Sequence, residues 1–342
     1  MKTLKELQNE IVPSDRKIFE ECAKNFDNVA KPVGGLGRLE ELTEKIAAAS
    51  GSAKIDIGRK CVLVFCADNG VAEQGVTQSP SEVTTAVAGL MVKGVSSVCV
   101  MAKCCGADIL PVDIGMKMTC PGIRDLRLGA GTGDISEGPA MTYETAVRGI
   151  ETGADLVREM KEKGYRLIAT GENGMGNTTT SSAMTAVMLG LSASDVTGRG
   201  AGLSVKALAH KKNIVEQAIR VNAPYAADPL DILAKLGGFD IAAMTGVFLG
   251  GAAFHIPVVM DGLISSVSAL TAVRMCPDVR DYIIPSHISA EPAARMICSE
   301  LGVRPVLHAD MHLGEGTGAA ALFPLLDMAA AILKNAATYD DL

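Results

Sequence analysis

The chain has no tryptophan and only 4% aromatic residues, which leaves alanine, valine, isoleucine, leucine and methionine to build its core. Positive charge is in deficit too: 32 Lys and Arg stand against 39 Asp and Glu, a formal charge of −7, with no basic run. That balance argues against nucleic acid or an anionic membrane as a partner. Nine cysteines are present, but no CxxC pair and no Cys/His spacing of the zinc-binding kind. The thiols read as reduced and mostly core-filling, which fits a cytoplasmic protein. The first residues, Met1 to Glu6, are polar and carry no apolar signal segment. The longest apolar stretch, Ile241 to Met260, is interrupted by Thr245, several glycines, His255 and Pro257. It is expected to be a packed helix and a central strand rather than a membrane span. At 342 residues the chain fits one large or two modest domains.

What the sequence does contain is an alternation of short apolar runs and helical patterns. Strands are expected at Cys61–Ala67, 107–115, 166–170, 257–260 and 282–285, each followed by a helix or by a glycine-rich loop leading to one. Near the N-terminus a helix from about Asp15 to Phe26 is followed by a loop from Lys31 and a second helix reaching about Ser50. This order predicts an α/β fold with a mostly parallel sheet covered by helices on both faces.

The chain is organised around Gly171-Glu172-Asn173-Gly174-Met175-Gly176-Asn177-Thr178-Thr179-Thr180, between an expected strand and an expected helix. Glycines let the backbone turn and approach a ligand closely. The threonines place hydroxyls and free N–H groups at a helix start, where the dipole favours an anion. The spacing is neither the dinucleotide fingerprint nor a P-loop. Glu172, a carboxylate inside this phosphate-type loop, points to a substrate site. A second glycine-rich turn, Gly198 to Gly202, precedes a helix carrying His210, Lys211 and Lys212. Its N–H groups and a lysine can serve the same anion, or the turn is a plain helix cap with a solvated lysine face.

Ser79, Pro80 and Glu82 have the spacing of a capping box, with Ser79 as N-cap and Pro80 at the first helical position. Asp68 ends the first long strand, where it either meets a ligand or shapes an Asx turn. Glu315 stands between glycines at the mouth of an Ala-rich closing helix, held where a carboxylate can meet a ligand. His308, Asp310 and His312 alternate, but no further ligand cluster supports a metal, and none is expected.

Several motifs together resemble one family. They are Lys31-Pro32-Val33-Gly34-Gly35-Leu36-Gly37-Arg38-Leu39-Glu40, Ala67-Asp68-Asn69-Gly70-Val71, Ser79-Pro80-Ser81-Glu82-Val83-Thr84, Gly171 to Thr179, Gly198 to Gly202, Val259-Met260-Asp261-Gly262, Ser286 to Pro292, and Asp310 to Gly318. In this order and at these separations the chain resembles the nicotinate-nucleotide–dimethylbenzimidazole phosphoribosyltransferases. The resemblance implies a Rossmann-like sheet over residues 59–310. It also implies a small helical domain made from residues 1–58 and the closing helix of residues 311–342, and a homodimer. The implied reaction joins nicotinate mononucleotide to an aromatic base, releasing nicotinate, with inversion at the ribose and no cofactor.

By the same resemblance Glu315 matches the general base, and Glu172 lines the site beside the incoming base. Gly174, Gly176, Asn177, Thr178, Gly200, Gly202 and Lys211 fall on the loops holding the nucleotide phosphate. Ser79 and Pro80 match the wall of the aromatic-base pocket, and Leu313 falls in the motif that carries Glu315. Gly35 stands where Ser is common, Ala86 or Val87 where Gln is common, and Ala293-Ala294 where Gly-His is usual; the last two bear on which base is preferred. The residues alone leave room for a phosphosugar or nucleotide hydrolase using Glu315 with water, or for an idle nucleotide-binding protein.

Overall fold

The structure, a computed structural model, describes all residues 1–342. Six strands form one sheet: β1 (Lys60–Ala67), β2 (Asp108–Gly115), β3 (Arg124–Asp125), β4 (Leu167–Asn173), β5 (Val258–Met260) and β6 (Ile283–Pro285). Their spatial order is β3-β2-β1-β4-β5-β6, and every pairing is parallel. In a sheet wound this way the order reverses between β1 and β4, and ligands lie in the crevice outside the carboxyl ends of those strands.

The alternation within β1 shows why both faces need covering. Cys61, Leu63 and Phe65 join the larger core cluster, whereas Val62, Val64 and Cys66 join a second cluster on the opposite face. The first face is packed by helix Phe239–Ala253, which lies against helix Tyr143–Glu162. Those two approach through glycines: a Cβ at Gly153 would sit 1.9 Å from the Ala243 carbonyl oxygen, and one at Gly246 1.9 Å from that of Ile150. Helix Phe239–Ala253 and β5 account for most of the long apolar stretch and are buried along their whole length, and the link between them comes to the surface at His255.

The second face is covered in part by helices Arg38–Ser50 and Thr317–Asn335, through Leu42, Ile46, Leu322, Phe323 and Leu326. Beyond the sheet, helix Arg16–Asn28 adds Cys22 and Phe26 to a small cluster that includes Ala47 and touches Leu333. The two chain ends therefore meet, and Val29 bridges Thr338. Thr317–Asn335 is long and apolar enough by composition to cross a membrane, but here its apolar side is core. The similar stretch Glu82–Cys104 is two helices, Glu82–Val92 and Ser97–Cys104.

Two expectations need correction. β4 does not stop at Thr170: it continues through Gly171, Glu172 and Asn173, paired with Val64, Phe65 and Cys66 of β1, so the carboxylate of Glu172 projects from the end of a strand. Nor does the helix after Ser79 begin there. Pro80 and Ser81 carbonyls accept from the Val83 and Thr84 N–H groups, a turn that delays the helix to Glu82 and leaves Ser79 uncommitted as a cap.

Candidate active site

At the carboxyl ends of β1 and β4 the structure opens a cleft, the place where sheets of this topology bind their ligands. Ser79, Glu172, Gly174, Gly176, Asn177, Thr178, Gly200, Lys211, Leu313 and Glu315 all line it. Pro80 lines an adjoining cavity alongside Ser79. Gly202 is exposed and does not line the cleft; its carbonyl accepts from the side chain of Gln78, which does. Of the alternatives Ala86 and Val87, Val87 reaches the cleft and Ala86 faces solvent.

Helix Asn177–Leu189 begins on Gly176, whose φ of 91° is left-handed and glycine-favouring. No side chain caps this helix, and the N–H groups of Gly176, Asn177 and Thr178 find no acceptor within the chain. Such a terminus attracts an anion. Opposite it, Lys211 of helix Val205–Asn222 is fully buried, and its ammonium donates to the Thr178 hydroxyl at 2.6 Å, its one hydrogen-bond partner. Burial pulls its pKa down to about 8, against the opposing charge of Glu291. An ammonium has three N–H bonds to satisfy, so this one lacks acceptors. The expectation of a solvated lysine face therefore fails: the helix turns position 211 inward.

Two carboxylates, Glu172 and Glu315, line the cleft. Glu172 accepts a short hydrogen bond from the Asn177 amide, which also donates to Asp240 at 3.1 Å. Desolvation, then the Asp240 charge, raises the Glu172 pKa to about 8, so it is mostly protonated at neutral pH. Asp240, fully buried at the start of its helix, is raised to about 6 by the same desolvation. Glu315 sits at φ 62°, unusual for a residue with a side chain and strained by roughly 1–3 kcal/mol. Its N–H donates to the Glu172 carbonyl at 3.1 Å, which couples the two acids through the backbone. A Cβ at Gly171 would come within 2.6 Å of the Glu315 carbonyl oxygen, so the strand needs glycine there. Burial raises the Glu315 pKa, opposed by the Val98 N–H and reinforced by Asp261. Glu315 Oε2 is buried without a partner.

Asp261, after β5, accepts from the Gly316 and Ala319 N–H groups at 3.1 and 2.9 Å. It thereby caps the closing helix and fixes the glycine-flanked turn that carries Glu315. Asp68 has the structural role of the two considered: its carboxylate accepts from the Thr84 hydroxyl and the Lys117 N–H and joins two loops. His308, Asp310 and His312 lie in an extended loop at the surface, and no group of three metal-ligating side chains is assembled anywhere in the chain. The sequence reading missed Arg199, His287 and Glu291 as lining residues, and Asp240 as the second acceptor of Asn177. Arg199 lies within the turn Gly198 to Gly202, and His287 and Glu291 within the motif Ser286 to Pro292, but nothing in the sequence marked these side chains, or Asp240, individually.

The sequence and the fold have known relatives. A family profile described as phosphoribosyltransferase matches residues 11–341. The nicotinate-nucleotide–dimethylbenzimidazole phosphoribosyltransferase of Ruminiclostridium cellulolyticum is 44% identical over 341 residues, 99% of this chain and 97% of that protein. The Escherichia coli (strain SE11) protein of the same name is 41% identical, covering 98% and 94%. Among solved structures, that of the Thermus thermophilus enzyme superposes with a TM-score of 0.88 at 35% identity, covering 96% of this chain and 98% of that one. The chain belongs to the nicotinate-nucleotide–dimethylbenzimidazole phosphoribosyltransferase family.

Proposed function

We propose that the cleft between β1 and β4 transfers the phosphoribosyl group of nicotinate mononucleotide to dimethylbenzimidazole or a related aromatic base, with inversion at C1′, and that Glu315 is the general base. The observation that carries this reading is Lys211. A fully buried ammonium with one neutral partner, beside an uncapped helix start, is a receptor for a phosphate group. Gly174, Gly176, Asn177 and Thr178 complete that receptor, with Gly200 and Gly202 shaping the turn beside it. Once the phosphate is held there, the ribose extends towards Glu172 and Glu315.

Nicotinate is bonded to C1′ through a quaternary ring nitrogen. When that bond breaks, its electron pair returns to the ring and cancels the positive charge, so no acid is needed. The incoming azole forms the new bond with one nitrogen and must lose a proton from the other. Glu315, desolvated and with an unpartnered oxygen, is suited to take it. Glu172, neutral at pH 7, adds no second negative charge beside the incoming base and is able to donate a hydrogen bond to it. Ser79, Val87 and Leu313 wall the base side, with Pro80 behind Ser79. Alignment of the two substrates contributes more than proton transfer does, since effective molarity supplies roughly 7–11 kcal/mol.

The same reading places the enzyme in the cytoplasm, consistent with its nine free thiols. It divides the chain into the sheet domain of residues 59–310 and a helical domain from residues 1–58 and 311–342, supported by the meeting of the chain ends. It pairs the chain as a homodimer, for which exposed Leu90, Val95 and Val100 offer an apolar surface. The test of the catalytic assignment is Glu315→Gln: nicotinate mononucleotide binds as before, while turnover falls by roughly 10²–10⁴, the usual contribution of a general base. Turnover near the wild-type rate removes Glu315 from that role.

A further inference from the structure

We propose that Glu291 is a positioning residue that anchors the Gly198–Gly202 turn in its phosphate-receiving shape. This rests on the assignment of Lys211 and its neighbours as the phosphate site.

Glu291 occupies the N-cap position of helix Pro292–Leu301, yet its side chain does not cap that helix. It reaches instead across 91 residues of sequence and accepts from the Gly200 N–H at 2.7 Å. The residue is 8% exposed, and its second carboxylate oxygen is buried without a partner. That oxygen is packed against Gly198, where an added Cβ would come to 2.0 Å. Gly200 itself has a left-handed φ of 55°. On its other side an added Cβ would lie 3.1 Å from the Thr178 hydroxyl and 3.5 Å from the Lys211 ammonium. The turn is thus held between a carboxylate that fixes its backbone and the Thr178–Lys211 pair that faces the cleft.

Burying a carboxylate with one oxygen unpaired is costly, and placing it in an anion site is costlier still. Capping its own helix is the cheaper local choice, and the side chain does not make it. Two consequences of its placement explain the cost. The hydrogen bond fixes the peptide between Arg199 and Gly200 and so holds the glycine turn in place beside Lys211. The charge also favours the protonated form of Lys211, the form that binds phosphate. Glu291 acts through the turn and through Lys211: one of its oxygens accepts from the Gly200 N–H, and the other is packed against Gly198 without a hydrogen-bond partner.

The test compares Glu291→Ala, Glu291→Gln and Gly198→Ala by steady-state kinetics, with inorganic phosphate as a competing probe and a thermal melt to check folding. Glu291→Ala is expected to raise the KM for nicotinate mononucleotide and the inhibition constant of phosphate together, by about tenfold or more, with kcat and the KM for the aromatic base little changed. Glu291→Gln keeps an acceptor for the Gly200 N–H and is expected to recover most of that loss. Gly198→Ala, which displaces the carboxylate without removing it, is expected to reproduce the Glu291→Ala pattern even should Glu291→Ala fold poorly. A fall in the KM and the phosphate constant on Glu291→Ala would mean that the carboxylate competes with substrate for the Gly200 N–H, and overturns the proposal. So would wild-type constants in Glu291→Ala, or a Glu291→Gln as impaired as Glu291→Ala. Lys211→Met in the same assay separates the two claims. If it leaves phosphate inhibition untouched, the phosphate assignment itself fails; if it weakens phosphate while Glu291→Ala does not, only the anchor fails.

Discussion

Replacing Lys211 by methionine is expected to make the protein more stable and its nucleotide binding worse. Methionine has nearly the length of lysine and suits a fully buried position. In the wild type, burial lowers the lysine pKa from 10.5 to about 8. At 1.36 kcal/mol per unit that is about 3 kcal/mol spent on keeping the ammonium charged in the folded state at pH 7. Loss of the Thr178 hydrogen bond gives back roughly 1 kcal/mol, leaving a net gain on the order of 2 kcal/mol. The sign follows from linkage. Below pH 8 lysine is protonated folded and unfolded alike and the penalty is fully present. Between about 8 and 10.5 the folded protein sheds the proton first, the wild type gains stability, and the variant's advantage fades. Binding moves the other way: a hydrogen bond from a charged donor contributes roughly 1.5–3 kcal/mol, so the dissociation constant for nicotinate mononucleotide rises roughly ten- to hundredfold. Wild-type affinity itself weakens as pH passes about 8. Thermal denaturation from about pH 6 to 10 and titration calorimetry with nicotinate mononucleotide measure both. An unchanged dissociation constant, or a variant destabilised at pH 7, would refute the reasoning.

Two other outcomes follow from the cleft floor. Gly171→Ala forces a Cβ to within 2.6 Å of the Glu315 carbonyl oxygen, so the loop carrying the base must shift. A kcat reduced by about tenfold or more, with nicotinate mononucleotide binding retained and a stability loss of about 1–3 kcal/mol, is expected from kinetics and a melt; an unchanged kcat would show that the loop is free of β4. Because burial raises the Glu315 pKa, kcat is expected to fall on the acid side at a pH above the ordinary glutamate value of 4.5. A pH–rate profile that stays flat down to 4.5 contradicts a desolvated base.

The strands most readily legible in the sequence were those buried on both sides, because Cys61–Ala67 and Val258–Met260 are unbroken apolar runs. β3 was invisible: Arg124 and Asp125 are exposed and polar, and they pair with β2 through the main chain alone. The capping pattern at Ser79 was present in the residues, but the Pro80 carbonyl formed a turn first, a choice made by the chain around it. Glu172 and Glu315 could be singled out by the glycines beside them. Asp240 and Glu291 could not, since each acts on a residue far away in sequence, Asn177 and Gly200 respectively. Local spacing carries no trace of such contacts. Lys211 was legible as a candidate on a helix, but its complete burial depends on the packing of helix Val205–Asn222 against helix Asn177–Leu189.

The account stands most directly on one assay: nicotinate mononucleotide incubated with the enzyme, with and without dimethylbenzimidazole, following nicotinate release and the anomeric configuration of the product. It predicts release only when the base is present, in step with an α-linked ribotide. Release without any base, or a product that keeps the β configuration, would contradict it.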